Sequence, residues 1–143
     1  NEPQPSLSLS GLSELLDDLD GLGFTSSQIY FLGFSQGACL TLEFSARHAK
    51  RYGGIIAFTG GLIGESLKRA NYSGNFESTP IFIGASDDDP HVPESRIDDS
   101  QVILESMGAS VVKKIYPSLG HTINHDELMM ASLILNNKLS EKT

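Results

Sequence analysis

The stretch Gln28-Ile29-Tyr30-Phe31-Leu32-Gly33-Phe34-Ser35-Gln36-Gly37-Ala38 changes pattern abruptly partway along. Residues 28–33 form a short, almost continuous apolar run, which is how a strand buried on both faces of a parallel sheet reads. Beyond it, Ala38, Leu42, Ala46 and Ala49 recur at helical spacing, which predicts a helix from about Ser35 to Lys50 with those residues on its buried side. A strand that passes directly into a helix leaves a very tight turn between them. Ser35 occupies that turn.

Working outward, the same alternation continues. Upstream, Leu9, Leu12, Leu15, Leu16, Leu19 and Leu22 recur at helical spacing with Asp17, Asp18 and Asp20 between them, and Gly21 and Gly23 end that helix. Downstream, Gly54–Phe58 and Pro80–Gly84 read as two further buried strands, separated by a longer connection of mixed polarity from Gly60 to Thr79. A helix from about Glu94 to Met107 leads into a strand over Val111–Tyr116, whose paired Lys113 and Lys114 suit a more exposed place towards a sheet edge. The last helix begins near Asn124, a residue type that caps helices well, and is expected to bury Leu128, Ala131, Leu135 and Leu139. Strands alternating with helices imply βαβ crossovers, so the fold class is α/β, a mostly parallel sheet with flanking helices.

The bulk properties narrow the function classes. The 143 residues fit one domain around a single core, and 39% apolar with 20% charged residues is ordinary for a water-soluble chain. A net charge of -8 excludes nucleic acid as the expected partner, since phosphate binding needs a basic face. No apolar run is long enough to span a membrane. The one cysteine, Cys39, has no partner for an internal disulfide, and a reducing cytoplasm is the simplest home for such a chain. The amino end, Asn1-Glu2-Pro3-Gln4-Pro5, has neither an initiator Met nor the pattern of a signal peptide and reads like the middle of a protein.

Gly33-Phe34-Ser35-Gln36-Gly37 places a serine where a strand-to-helix turn pushes its hydroxyl out over the carboxyl end of a sheet. The turn forces close backbone approaches, which gives Gly33 and Gly37 a steric reason to be glycine. The helix N-terminus brings partial positive charge to a reacting carbonyl there, and the Gln36 backbone N–H is placed to donate to an oxyanion. A serine nucleophile needs a base, and the base needs an orienting acid. Both are available in loops after later strands: Asp87, Asp88 and Asp89 after the third, His121 after the fourth. Among the other histidines, His91 lies on the short aspartate loop and reads as part of the site's rim. His48 reads as a surface residue and His125 as a solvent or capping residue at the start of the last helix.

The strings GFSQGA (Gly33 to Ala38), D-P-x-V-P (Asp89 to Pro93) and G-H (Gly120, His121), in this order, resemble the phospholipase/carboxylesterase family of α/β-hydrolases. That family includes acyl-protein thioesterases and small bacterial carboxylesterases. The resemblance covers essentially the whole chain. It implies Ser35 as nucleophile, Asp89 as acid and His121 as base, with Asp87 and Asp88 the alternatives for the acid. It implies a serine carboxylesterase working through an acyl-enzyme on a small-molecule ester or thioester, with no metal and no organic cofactor. Acyl-protein thioesterase or lactone hydrolase activity is the alternative within enzymes, and a non-catalytic binding domain the alternative of another class. A homodimer is the assembly considered.

The connection after Phe58, with Leu62 and Ile63, leaves the active end of its strand and is expected to wall the acyl pocket. One departure from the family pattern bears on the reading. Only one helix and one strand precede Ser35, so the opening strands and the loop that supplies a second oxyanion donor have no counterpart. The chain is therefore expected to be the C-terminal part of a single α/β-hydrolase domain, with roughly 60–80 residues upstream of Asn1.

Overall fold

A computed structural model describes residues 3–137. Helix α1 (Pro3–Gly21) leads through a 3₁₀ turn at Ser26–Gln28 into β1 (Tyr30–Phe34), which passes into α2 (Gln36–Arg47). Then follow β2 (Gly54–Phe58), β3 (Pro80–Ser86), α3 (Glu94–Ser106), β4 (Ser110–Tyr116) and α4 (His125–Leu135). The four strands form one parallel sheet in the order β1-β2-β3-β4. Among the described residues no helix is long and apolar enough to cross a membrane.

The alternation of side chains along the central strands divides the core in two. Ile55, Ala57, Ile81 and Ile83 meet Ala38, Leu42 and Ala46 of α2 and Ile97 and Leu104 of α3. On the opposite face Ile56, Phe58 and Phe82 meet Met130, Ala131 and Ile134 of α4. Each such isoleucine or phenylalanine contributes about 1.5–3 kcal/mol by leaving water. Because the strands are parallel, the carboxyl ends of β1, β3 and β4 open at one end of the sheet. The loops carrying Ser35, Asp89 and His121 are thereby gathered there.

Two expectations about burial need correction. Among the described residues β1 is an edge strand, paired with β2 alone, and its Leu32 and Phe34 are 56% and 40% exposed. On the same face Tyr30 packs against the α4 cluster, whereas Leu32 and Phe34 lie past its edge. The last helix buries Glu127, Met130, Ala131 and Ile134, whereas Leu128 and Leu135 face outward, and Leu139 lies outside the described residues. The stretch Leu128–Leu135 is apolar almost all round, so two stripes one residue apart have the same spacing. The start of the helix selects between them. Asn124 caps it, its side chain accepting from the Glu127 N–H at 2.8 Å while Glu127 Oε1 accepts from the Asn124 N–H at 3.1 Å.

That capping box carries a carboxylate inward. Glu127 is fully buried, and its Oε2 has no hydrogen-bond partner. It lies over Gly84 of β3, where an added Cβ would come within 2.1 Å of it. Burial pushes the Glu127 carboxyl above its ordinary value of 4.5, against the opposing pull of the Asn124 N–H. A raised value means that the folded state takes up a proton more readily than the unfolded chain. The cost of the charged form is thus absent below the unfolded value and grows as pH rises through the folded one. Glu127→Gln removes that charge. Its stability relative to the parent will be greatest near neutral pH and will fall as pH drops towards 4.5, as urea denaturation at a series of pH values will show.

The β1–α2 junction explains one of its two glycines. A Cβ on Gly33 would stand 2.3 Å from the Gly37 carbonyl oxygen and 2.7 Å from the Ala38 nitrogen, both backbone atoms that cannot yield. At Gly37 an added Cβ meets nothing within 4 Å, so the steric reason expected for it is not supplied by the described residues. Gly33→Ala will cost about 2–4 kcal/mol and Gly37→Ala less than about 1 kcal/mol, measured by chemical denaturation.

Candidate active site

Ser35 sits between β1 and α2 with φ 57° and ψ -116°, a conformation that a residue with a Cβ rarely adopts. Its N–H donates to the Phe58 carbonyl at 2.8 Å, so the end of β2 holds the turn in place. Its Oγ lies 2.7 Å from His121 Nε2. Gln36 is the first residue of α2, where a backbone N–H has no acceptor within the helix.

His121 Nδ1 lies 2.7 Å from Asp89 Oδ2. Ser35, His121 and Asp89 therefore form one continuous hydrogen-bonded chain contributed by three loops. The Asp89 side chain is fully buried, and its second oxygen accepts the His91 N–H at 2.7 Å. Burial alone would raise the Asp89 carboxyl. The His121 hydrogen bond, the His91 N–H and the two nearby imidazoles together outweigh it and hold the group below its ordinary value of 3.8. Asp89 is thus an anion at neutral pH, oriented through both oxygens.

The neighbouring aspartates have other partners. Asp87 Oδ1 accepts the Ser118 N–H at 2.9 Å and so braces the turn after β4. Asp88 Oδ1 accepts from Ser86 Oγ at 2.5 Å and from the Gly120 N–H at 3.0 Å, tying the loop after β3 to the residue before His121. The three carboxylates thus divide the work: two bind loops together and Asp89 meets the imidazole. Thr59, at φ 67°, adds a further tie, its hydroxyl lying 3.5 Å from the Thr122 carbonyl.

Of the other candidates, His91 is exposed at the rim with its ring centroid 4.6 Å from that of His121. Phe34 packs on His121 from another side at 5.2 Å. His48 is exposed at the end of α2 and packs on Phe44, and His125 is exposed at the start of α4. Leu62 and Ile63, expected to wall a pocket together, point in different directions: Leu62 is 2% exposed within the core, whereas Ile63 is 38% exposed. Leu62 therefore packs as core and is not placed as a wall; Ile63 alone keeps that possibility. Cys39, one turn into α2 from Ser35, is part-buried, and burial raises its thiol above the ordinary value, which leaves little of the reactive thiolate.

Sequence reading did not identify Glu43, Arg96 and Ser100, which hold the connection after β2. Glu43 is 2% exposed on α2 and accepts from the Ile63 N–H, the Tyr72 hydroxyl and Arg47 Nε. Its spacing from Arg47 is that of an ordinary surface ion pair, which concealed its burial. The better signal was its place beside the stripe of Ala38, Leu42 and Ala46, three residues before Ala46.

Residues 4–139 match the family model described as Phospholipase/Carboxylesterase. A solved structure, the phospholipase/carboxylesterase from Dyadobacter fermentans, is 49% identical and superimposes with a TM-score of 0.90 over 97% of this chain and 65% of that one. Acyl-protein thioesterase 1 of Saccharomyces cerevisiae is 30% identical over 135 residues, covering 93% of this chain and 60% of the yeast protein. A probable carboxylesterase of Arabidopsis thaliana, SOBER1-like, is 28% identical over 121 residues, covering 85% of this chain and 46% of the plant protein. The chain spans about half the length of the curated relatives it matches. With its parallel sheet, its serine at a strand-to-helix turn and a family match over nearly its full extent, the chain belongs to the phospholipase/carboxylesterase family of α/β-hydrolases.

Proposed function

We propose that the protein hydrolyses carboxylic esters or thioesters, with Ser35 as nucleophile, His121 as general base and Asp89 as the orienting acid. The observation that carries this reading is the continuous chain Ser35 Oγ–His121 Nε2–Asp89 Oδ2, with 2.7 Å at each link. His121 Nε2 takes the Ser35 proton as Oγ attacks the substrate carbonyl carbon. Asp89 accepts the Nδ1–H and stabilises the imidazolium. The Gln36 N–H, at the positive end of α2, donates to the oxyanion. His121 then returns the proton to the leaving alkoxide or thiolate, an acyl-Ser35 ester remains, and water activated by His121 releases the acid. Phe34 and His91 pack against the imidazole ring. Small esters are the substrates favoured here, and acylated thiols the second class, since the yeast relative is named an acyl-protein thioesterase. The cytoplasm is the compartment proposed, on the strength of the single cysteine.

In the full-length protein, Ser35→Ala and His121→Ala will lower kcat on short p-nitrophenyl esters by about 10⁴-fold or more. Asp89→Asn will lower it by about 10⁴-fold through loss of the correct imidazole tautomer, whereas Asp88→Asn will cost far less. His91→Ala will leave most of the turnover in place. A fluorophosphonate will label the parent and fail to label Ser35→Ala. Unchanged turnover in Ser35→Ala, or loss of activity in His91→Ala but not in His121→Ala, would overturn these assignments, and an unlabelled parent would point to a binding module.

A further inference from the structure

After β2 the chain runs from Thr59 to Glu65 without regular secondary structure, beginning against the turn that carries Ser35. A Cβ on Gly60 would stand 2.9 Å from the Ser35 carbonyl oxygen and 2.7 Å from Ala38 Cβ. Backbone groups outside a ladder have to find partners elsewhere. Here side chains of two helices supply them. The Leu62 N–H donates to Ser100 Oγ at 2.9 Å, and the Leu62 carbonyl accepts from Arg96 Nη1 at 3.1 Å, both on α3. The Ile63 N–H donates to Glu43 Oε1 on α2 at 3.0 Å, and Arg96 Nη2 reaches the Glu65 carbonyl at 3.4 Å.

Glu43 holds this segment from beneath. A buried carboxylate is costly unless its oxygens find donors, and both oxygens of Glu43 do. Besides the Ile63 N–H, its Oε1 accepts the Tyr72 hydroxyl at 2.8 Å, which fixes a distant part of the same connection, and its Oε2 accepts Arg47 Nε at 2.8 Å. The outcome is that Leu62 is sealed in the core while Ile63, next in sequence, is turned outward at a fixed height above α2. The helix that carries Ser35 at its start thus also carries the support for the segment beside it.

We infer that Glu43 is a positioning residue that sets acyl-chain preference: by holding the Ile63 amide and the Tyr72 hydroxyl, it fixes Ile63 as a rigid wall for the acyl group. This rests on the reading of Ser35 as nucleophile and adds a determinant of specificity to it. Glu43 touches no reacting atom, so its loss acts on the fit of long acyl chains and spares the attack on short ones.

The test uses the full-length protein, p-nitrophenyl esters from acetate to octanoate, and the variants Glu43→Ala, Glu43→Gln, Tyr72→Phe and Ile63→Ala. Glu43→Ala is expected to keep fluorophosphonate labelling of Ser35 and acetate turnover within about threefold, while the ratio of octanoate to acetate kcat/KM changes by about tenfold, chiefly through KM. Glu43→Gln retains an acceptor for both donors and is expected to restore the parental ratio; Tyr72→Phe falls between, and Ile63→Ala shifts the ratio in the same direction as Glu43→Ala. An equal loss on acetate and octanoate in Glu43→Ala overturns the inference. If Glu43→Ala does not accumulate as folded protein, an unchanged ratio in both Tyr72→Phe and Ile63→Ala overturns it instead. A parent that fluorophosphonate does not label defeats the Ser35 reading itself, which is a separate result.

Discussion

The left-handed backbone of Ser35 is the constraint on which the rest of this structure depends. A residue with a Cβ at φ 57° is strained, and the strain persists only where its surroundings over-determine it. Three features do so here. β1 fixes the chain before the turn and α2 the chain after it, the Phe58 carbonyl takes the Ser35 N–H, and Gly33 lets the first turn of the helix pass at a distance no other residue would allow. The conformation lifts Oγ away from the helix that Ser35 precedes and out towards His121, and frees it from the capping role that a serine there would otherwise take. Strain at the turn and availability of the hydroxyl are one fact seen from two sides.

Around that turn, the parallel sheet supplies geometry that no single loop could. Each strand delivers its following loop to the same end, and the register from Gly33 through Ala57 to Ile83 and Lys113 lets β3 and β4 run two residues past the ends of β1 and β2. Polar contacts between loops then replace flexibility with order. Asp87 reaches Ser118, Asp88 reaches Gly120, and Thr59 reaches Thr122. Acidic residues clustered on one loop would repel one another in isolation. Here each has donors of its own, and the backbone amides of the next loop absorb much of the negative charge.

The fold was legible because its strands are short apolar runs set off by helical periodicity, a pattern with few alternative readings. The gathering of Ser35, Asp89 and His121 was legible for a related reason: their order along the chain and their position after strands suffice to place them at one end of a parallel sheet. The choice of Asp89 over Asp87 and Asp88 is different in kind, because three adjacent identical side chains differ only in where the loop points them. Other features were hidden by ambiguity of the pattern itself. The all-round apolarity of α4 left its phase undetermined, and the i,i+4 spacing of Glu43 and Arg47 disguised a buried acid as a surface pair. The burial of Glu127 carried no signal in the sequence, since only the missing side chain of Gly84 makes room for its carboxylate beneath the helix. β1 was read as doubly buried because its composition reports what the strand suits, and composition carries no information about which neighbours are beside it.

The bond from the Gly120 amide to Asp88 joins the loop that carries Asp89 to the loop that carries His121. The two loops consequently behave as one piece, and the separation of His121 from Asp89 is set when the chain folds. The entropy of bringing the imidazole to its carboxylate is lost at folding. With Ser35 Oγ already 2.7 Å from His121 Nε2, the whole chain of three side chains is in place in the folded molecule.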